Sequence, residues 1–189
     1  MDRVYTRTVS NRPVGPYAVV SVDVVPWDPR SAEVAAEVAG LVTARRPDLA
    51  VEHIGSTAVP GLPGKGVVDL AIATDPPDVP RIAALLLDLG FGPQPGPDPW
   101  PSTRPMLVGS MKRNDTTFRV HVHVMPEPHE LQRQTAFRDA LRADPELVRS
   151  YAGCPRALRL GLEERDGRGS SRALRARLDG LPAPRDDAR

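Results

Sequence analysis

The pattern of apolar and polar positions changes along the chain, from one that favours strands to one that favours helices. Runs rich in apolar and β-branched residues predict strands over residues 17–25, 67–73, 105–111 and 116–125. Apolar side chains recur every three or four positions over residues 31–46 and 78–89, which predicts two helices. Beyond Pro126 only helical patterns remain, over residues 130–143, from Pro145 onward and over about 168–178. The chain is therefore predicted to be an α+β protein, with a mixed sheet flanked by helices and a C-terminal helical segment.

Local signals mark the ends of these elements. Asp28 or Ser31 is expected to cap the first helix, Asp78 the second, and Asp144 the helix that begins at Pro145. Gly90 is expected to end the second helix, because glycine readily adopts the left-handed conformation found after helix C-termini. The last two strands are joined by a short turn at residues 113–115, so an antiparallel hairpin is predicted there.

The chain of 189 residues suits a single domain. We expect the sheet core in residues 17–125, the C-terminal helices in residues 126–181 and a mobile tail in residues 182–189. Helices of this length are marginal in isolation, so they should depend on docking against the sheet. The segment GPQPGPDPWP, residues 92–101, is too rich in proline for regular structure and is predicted to be a loop that could flank a cleft.

Composition excludes several classes of protein. The one cysteine, Cys154, excludes an internal disulfide, and no apolar run approaches the roughly 20 residues of a membrane span. The first 15 residues lack the apolar core of a signal peptide, so the cytoplasm is the expected location. A net charge of +1 argues against general nucleic-acid binding. An RNA or triphosphate contact would have to come from arginines of the C-terminal helices: Arg149, Arg156, Arg159 and Arg172.

The chemistry concentrates in residues 51–73, VEHIGSTAVPGLPGKGVVDLAIA. Asp69 is the third residue of an otherwise apolar strand, and an unpaired buried carboxylate is costly, so it should meet a cation, a metal ion or water at a cleft. Gly55 allows the backbone to approach a ligand closely, and the following amides with the Ser56 hydroxyl can bind an anion. The segment therefore predicts a phosphate cradle facing a metal-binding carboxylate. The structural alternative is a glycine-rich turn in which Ser56 caps a short helix and Asp69 makes an internal pair.

A second candidate set lies on the last predicted strand. His121 and His123 are two residues apart and so share one face of the strand with Arg119. A His-x-His pair can bind a metal, hold a phosphate or transfer a proton, and spacing alone leaves a solvent-facing strand equally open. Lys65 could meet a phosphate or neutralise Asp69, whereas His129, at a helix start, is expected to have no role.

Two further positions concern the surroundings of the cradle. Arg138, in the helical segment FRDALR, could reach the cleft and bind a phosphorylated ligand. Glu52 and His53 flank the cradle, and alternation along a strand places one of them inward. For that residue a supporting hydrogen bond is expected, not direct catalysis.

The sequence EHIGSTAVPGLPGKGVVDL resembles the signature of the GrpB family, matching it at residues 52–62, at Lys65 and at Asp69. A looser likeness covers residues 24–29, 121–123 and 137–142, and so most of the chain. The resemblance implies the fold of the DNA polymerase beta-like nucleotidyltransferase superfamily. In that superfamily a Gly-Ser pair is followed about a dozen residues later by an acidic residue on a strand.

The resemblance also implies ligands: a nucleoside triphosphate or other phosphorylated small molecule, together with a divalent ion, Mg²⁺, Mn²⁺ or Zn²⁺. The metal-binding and catalytic residues it implies are Asp69, His121 and His123, and the residues that hold phosphate are Gly55, Ser56, Lys65 and Arg138. Histidine ligands in place of carboxylates favour Mn²⁺ or Zn²⁺ over Mg²⁺.

Two hypotheses follow from these residues. The first is an enzyme that transfers a nucleotidyl group to an unspecified acceptor, with His121 or His123 completing the metal site or acting as base. The alternative is a non-catalytic nucleotide- or metabolite-binding module. Two departures favour it: Ala71 stands where metal-dependent nucleotidyltransferases place a second acidic residue, and Pro155 and Ser171 stand where relatives of this family carry lysines.

Overall fold

The computed structural model of the chain describes residues 12–19, 23–96 and 100–153. Its regular elements are, in order, Arg30–Thr43 (helix α1), Val51–Ile54 (strand β1), Val67–Ala73 (strand β2), Val79–Leu89 (helix α2), Gly92–Pro93 (strand β3), Met106–Arg113 (strand β4), Thr116–Met125 (strand β5), Pro128–Ala143 (helix α3) and Pro145–Ala152 (helix α4). Short 3₁₀ turns, Ser56–Ala58 and Pro76–Asp78, flank β2. The predicted α+β class and the predicted hairpin of β4 and β5 are confirmed.

The five strands form one mixed sheet in the order β1-β2-β5-β4-β3. β2 and β5 are parallel neighbours, whereas the other pairings are antiparallel. In the register of β2 with β5, Asp69 lies opposite His121 and Ala71 lies opposite His123. The pairing therefore brings together two segments about fifty residues apart, each with its own polar side chains on the same face.

The other face of the sheet carries the main hydrophobic core. It is formed by alternate residues of β2 and β5, packed under α1 and α2 and completely buried: Val68, Leu70, Ile72, Val120, Val122 and Val124. Burying an aliphatic side chain contributes about 1.5–3 kcal/mol, so this face fixes the orientation of both strands. Because strand side chains alternate, Asp69 and the two histidines must point to the opposite face.

The predicted helix boundaries hold with small shifts. The Asp28 carboxylate accepts a hydrogen bond from the backbone N–H of Arg30 at 2.9 Å, and α1 ends at Thr43, earlier than the predicted residue 46. Gly90, with φ of 111°, ends α2, and Asp144 caps α4 as predicted. Asp78 occupies the position before α2, but its carboxylate pairs with Arg46 at 2.9 Å and does not cap the helix.

The two described C-terminal helices dock at β1 and the glycine-rich turn. Leu141, Leu147 and Tyr151 form a buried cluster with Val59 and Leu62 of that turn. The dependence of these helices on the sheet for folding stays a prediction. The predicted third helix, the tail, Cys154 and the positions of the missing lysines lie outside the described residues. Within the described part of the chain, no helix combines the length and apolar character needed to cross a membrane.

The prediction of a first strand over residues 17–25 is wrong for the residues that the structure describes there. Residues 17–19 and 23–25 form no strand, and Val25 makes only an isolated bridge to Gly64; residues 20–22 lie outside the described part. The apolar residues that suggested a buried strand face solvent: Val19 is 77% exposed, Val24 43% and Val25 41%. Residues 12–19 instead cross the sheet edge, where Gly15 bridges Ser110 of β4.

Candidate metal centre

Asp69, His121 and His123 lie together on the face of the sheet opposite the main core. The Asp69 Oδ1 atom is 3.4 Å from His121 Nδ1 and 3.8 Å from His123 Nε2. One potential ligand atom from each residue lies within 4.8 Å of the other two. His123 is 2% exposed, whereas Asp69 and His121 remain 17% and 18% exposed, so a ligand can reach the cluster from one side.

The spacing of these atoms fits a divalent cation. Two ligands bound tetrahedrally at about 2.1 Å are about 3.4 Å apart. The Asp69–His121 pair has that separation, and the Asp69–His123 pair at 3.8 Å needs a shift of a few tenths of an ångström. Two imidazoles with one carboxylate suit transition metals such as Zn²⁺ and Mn²⁺ better than Mg²⁺. Three protein ligands also leave coordination positions for a substrate.

The charge state of Asp69 suits this role. Burial raises the pKa of its carboxyl, but hydrogen bonding and charge from His121, and then from His123, lower that pKa by more. The net pKa lies below the ordinary aspartate value, so Asp69 is ionised at neutral pH. An ionised carboxylate between two imidazoles is therefore available as a metal ligand.

The glycine-rich turn that is predicted to hold phosphate lies directly beside the cluster of Asp69, His121 and His123. Gly55 has φ of 73°, and a Cβ atom there would lie 2.5 Å from Asp69 Oδ2. The Ser56 side chain is similarly close to Gly64, where a Cβ atom would lie 2.2 Å from Ser56 Oγ. Both glycines are thus required by close packing. The turn that begins at Gly55 is therefore held against the Asp69 carboxylate, and phosphate binding by Gly55 and Ser56 stays a prediction.

The other two residues predicted to hold phosphate, Lys65 and Arg138, make contacts that join elements of the protein. The Lys65 carbonyl accepts a hydrogen bond of 2.6 Å from Arg119 Nη2, which ties the glycine-rich turn to β5. Arg138 is 9% exposed, and its guanidinium donates to Glu52 Oε2 and to the His53 carbonyl, both at 2.8 Å. Arg138 therefore holds α3 against β1, and phosphate binding by Lys65 and Arg138 stays a prediction.

Two aromatic residues at the site were not identified from the sequence. The Tyr17 hydroxyl is 2.9 Å from His121 Nε2, and the Trp100 ring meets His123 edge-on with centroids 5.3 Å apart. Arg104 stacks over Trp100 at 4.9 Å from the ring centroid. The signal for Trp100 was its place in the proline-rich loop predicted to flank a cleft. For Tyr17 the strand-like pattern of its segment was misleading.

His53 supports the glycine-rich turn from behind. Its Nε2 atom is 3.0 Å from the Thr57 hydroxyl oxygen, and that hydroxyl donates to the Val67 carbonyl at 2.9 Å. Because the hydroxyl proton is already used, His53 Nε2–H must be the donor to Thr57. Burial lowers the pKa of His53 to about 4, so the ring is neutral at neutral pH. The expected supporting hydrogen bond next to the cradle is present.

We expect His53 to make folding stability depend on pH. Its pKa is about 4 when folded and about 6.5 when unfolded, so the unfolded chain binds the extra proton. The stabilisation is complete above about pH 6.5 and is lost as pH falls towards 4, by at most about 3 kcal/mol. Urea unfolding at several pH values measures this. His53→Gln, which keeps a donor for Thr57 but does not titrate, should lose less stability over the same range, and parallel curves would contradict the prediction.

The chain is similar in sequence to known proteins over most of its length. The sequence pattern of the family described as GrpB protein matches residues 21–166. A UPF0157 protein of Pseudomonas aeruginosa is 38% identical over 144 residues, which cover 72% of this chain and 57% of that protein. The chain spans about half the length of the curated relatives it matches, such as a UPF0157 protein of Vibrio cholerae, of which it covers 55%.

The solved structure of a protein similar to this chain shows the same fold. The crystal structure of conserved protein GrpB from Enterococcus faecalis matches with a TM-score of 0.52 and 24% identity, covering 70% of this chain and 79% of that one. A cytoplasmic RNA terminal U-transferase matches with a TM-score of 0.48 and 13% identity, covering 68% of this chain and 40% of that one. The second likeness is too low to support a statement about either fold or activity.

Proposed function

The chain belongs to the GrpB family, and we propose that it binds a divalent metal ion through Asp69, His121 and His123 and a nucleoside triphosphate beside that ion. We further propose that it transfers the nucleotidyl group to an acceptor. The observation that supports the proposal is the convergence of the three ligand atoms within 4.8 Å, next to a glycine-rich turn that packs on Asp69. A metal ion and a set of backbone donors are the parts that phosphoryl chemistry uses to position and neutralise phosphates.

Each residue has a defined part in this proposal. Asp69 and the two imidazoles hold the ion, which when bound supplies positive charge to the phosphate oxygens. The Ser56 hydroxyl and the amides that follow Gly55 bind a phosphate oxygen on the neighbouring side. The partly buried Trp100 ring covers His123, which is buried, and so keeps water away from one side of the cluster, which strengthens each of these electrostatic interactions.

Ala71 supports a second candidate, a module that binds a metal-bound nucleotide or metabolite without transferring a group. It is completely buried and lies opposite His123 in the register of β2 and β5, at the position where a second metal-binding carboxylate is expected in nucleotidyltransferases. A methyl group cannot bind a metal. With one carboxylate the cluster suits a single ion, whereas two-metal sites stabilise both the attacking and the leaving oxygens.

Two titrations and one assay test the proposal. We expect calorimetry to show tighter binding of Zn²⁺ and Mn²⁺ than of Mg²⁺, and tighter nucleoside triphosphate binding in the presence of Mn²⁺ than without metal. Release of pyrophosphate from the Mn²⁺–nucleotide complex, with the nucleotidyl group passing to water or to an acceptor supplied in a cell extract, would support transfer, and binding without release in that mixture would favour the second candidate. If none of the three metal ions binds, both candidate functions are contradicted.

A further inference from the structure

The two ring nitrogens of His121 have different partners. Nδ1 faces Asp69 Oδ1 at 3.4 Å, whereas Nε2 is 2.9 Å from the hydroxyl of Tyr17. The Tyr17 and His121 rings also pack together, with centroids 5.4 Å apart. Tyr17 belongs to residues 12–19, here called the N-terminal strap, which no element of the sheet includes. The strap, which is distant in sequence from β2 and β5, therefore contacts the ring nitrogen of His121 that faces away from Asp69.

We propose that Tyr17 is a positioning residue that presents His121 Nδ1 to the metal ion, an inference that rests on the proposed function. A neutral imidazole bound to metal through Nδ1 carries its one proton on Nε2, and that proton then donates to the Tyr17 oxygen. In the tautomer of the neutral ring that carries its proton on Nδ1, that proton faces Asp69 and the Tyr17 hydroxyl donates to Nε2. Because a hydroxyl both donates and accepts, Tyr17 satisfies His121 in either state.

Backbone hydrogen bonds at Val14 and Gly15 anchor the strap. The Val14 N–H donates to the Leu89 carbonyl at 3.1 Å, and Gly15 and Ser110 exchange two backbone hydrogen bonds of 2.9 and 3.0 Å. The Ser110 hydroxyl also accepts from the Ala18 N–H at 3.0 Å. These contacts place the segment that carries Tyr17 across β4.

Two glycines make room for this docking. A Cβ atom at Gly109 would lie 2.4 Å from Val14 Cγ1, and one at Gly90 would lie 2.2 Å from the Val14 carbonyl oxygen. Val14 is 3% exposed, so the side chain is enclosed and cannot move aside freely. Gly90 and Gly109, which both lie outside the glycine-rich turn, therefore leave the space that Val14 of the strap occupies.

The strap is also linked to the phosphate side of the site. Burial raises the pKa of the Tyr17 hydroxyl, and the nearby Arg119 guanidinium opposes that rise. The Nη2 atom of Arg119 also donates to the Lys65 carbonyl at 2.6 Å. Tyr17 therefore contacts a candidate metal ligand and lies near an arginine that holds the glycine-rich turn. A shift of Tyr17 would disturb His121 without altering any metal ligand itself.

Zn²⁺ titration of four proteins tests the proposal: wild type, Tyr17→Phe, Gly109→Ala and Gly40→Ala. Tyr17→Phe removes only the hydroxyl, and Gly109→Ala displaces the strap through Val14. We expect each to lower Zn²⁺ affinity at least about tenfold, as loss of a hydrogen bond to a ligating histidine does. Gly40, in α1, has no atom within 4 Å of an added Cβ, so Gly40→Ala should keep the wild-type affinity. Thermal unfolding checks that each variant folds, and if Gly109→Ala does not, Tyr17→Phe still decides.

Nuclear magnetic resonance supplies readouts that a merely structural role would not change. In the Zn²⁺ form, nitrogen-15 spectra of wild type should show the His121 ring protonated at Nε2 alone. In Tyr17→Phe the ring should no longer be held in that one protonated form. Without metal, a nuclear Overhauser effect between the Tyr17 and His121 rings should appear in wild type and Gly40→Ala but not in Gly109→Ala. Wild-type Zn²⁺ affinity in Tyr17→Phe, or absence of the ring contact in wild type, would overturn only this inference. Failure of wild type to bind metal would overturn the proposed function and the role of Tyr17 with it.

Discussion

Replacing Asp69 with Asn is expected to lower Mn²⁺ and Zn²⁺ affinity at least about tenfold, or about 1.4 kcal/mol. The substitution keeps the shape of the side chain and removes its charge. Asp69 lies within 4 Å of both imidazoles, so the variant leaves two neutral nitrogen ligands without a negative partner for the cation. Calorimetric titration of the wild type and the variant measures the difference.

The histidines provide the comparison for this result. Replacing His121 or His123 with Ala should cause a similar loss for at least one of the two, because each removes a nitrogen ligand. His129 is exposed and contacts Gln132 at the start of α3, so His129→Ala should bind metal like wild type. Equal affinities for wild type and Asp69→Asn would remove the metal site from the proposal and leave only the phosphate cradle.

Replacing Gly55 with Ala is expected to destabilise the fold by about 2–4 kcal/mol and to weaken metal binding at least tenfold. The positive φ of 73° strains any residue with a Cβ, and that Cβ would also lie 2.5 Å from Asp69 Oδ2. The carboxylate must therefore move away from the position in which it faces His121. Urea unfolding measures the first effect, and Zn²⁺ titration measures the second.

Gly61 offers a matched control for this substitution. It also has a positive φ, of 78°, but no atom lies within 4 Å of an added Cβ. Gly61→Ala should therefore lose only about 1 kcal/mol from backbone strain and keep the wild-type metal affinity. A double-mutant cycle isolates the contact, because the penalty of Gly55→Ala should shrink when Asp69 is also Ala. Equal effects of Gly55→Ala and Gly61→Ala would show that the turn does not position the carboxylate.

Much of the candidate site was accessible from local patterns. The run at residues 67–73 identified a buried strand with one carboxylate, and the spacing of His121 and His123 placed both histidines on one face of another strand. These statements depend only on the two-residue period of a strand and on the cost of burying charge. The resemblance to the GrpB signature then favoured a ligand site over a purely structural turn, and the structure packs Gly55 against Asp69.

The sequence by itself determined the strands β2, β4 and β5 and the helices α1 to α4, with small shifts at their ends, and which side chains share a face. It did not predict strand β1, and it placed the two residues of β3 in a loop. Only the tertiary structure decided that β2 pairs in parallel with β5, so that Asp69 lies opposite His121, because register depends on packing between segments distant in the chain. It also decided the place of Tyr17. The pattern of residues 17–25 is compatible with a strand, but Val14 and the hydrogen bonds at Gly15 draw this segment across the sheet, and no local periodicity encodes such contacts.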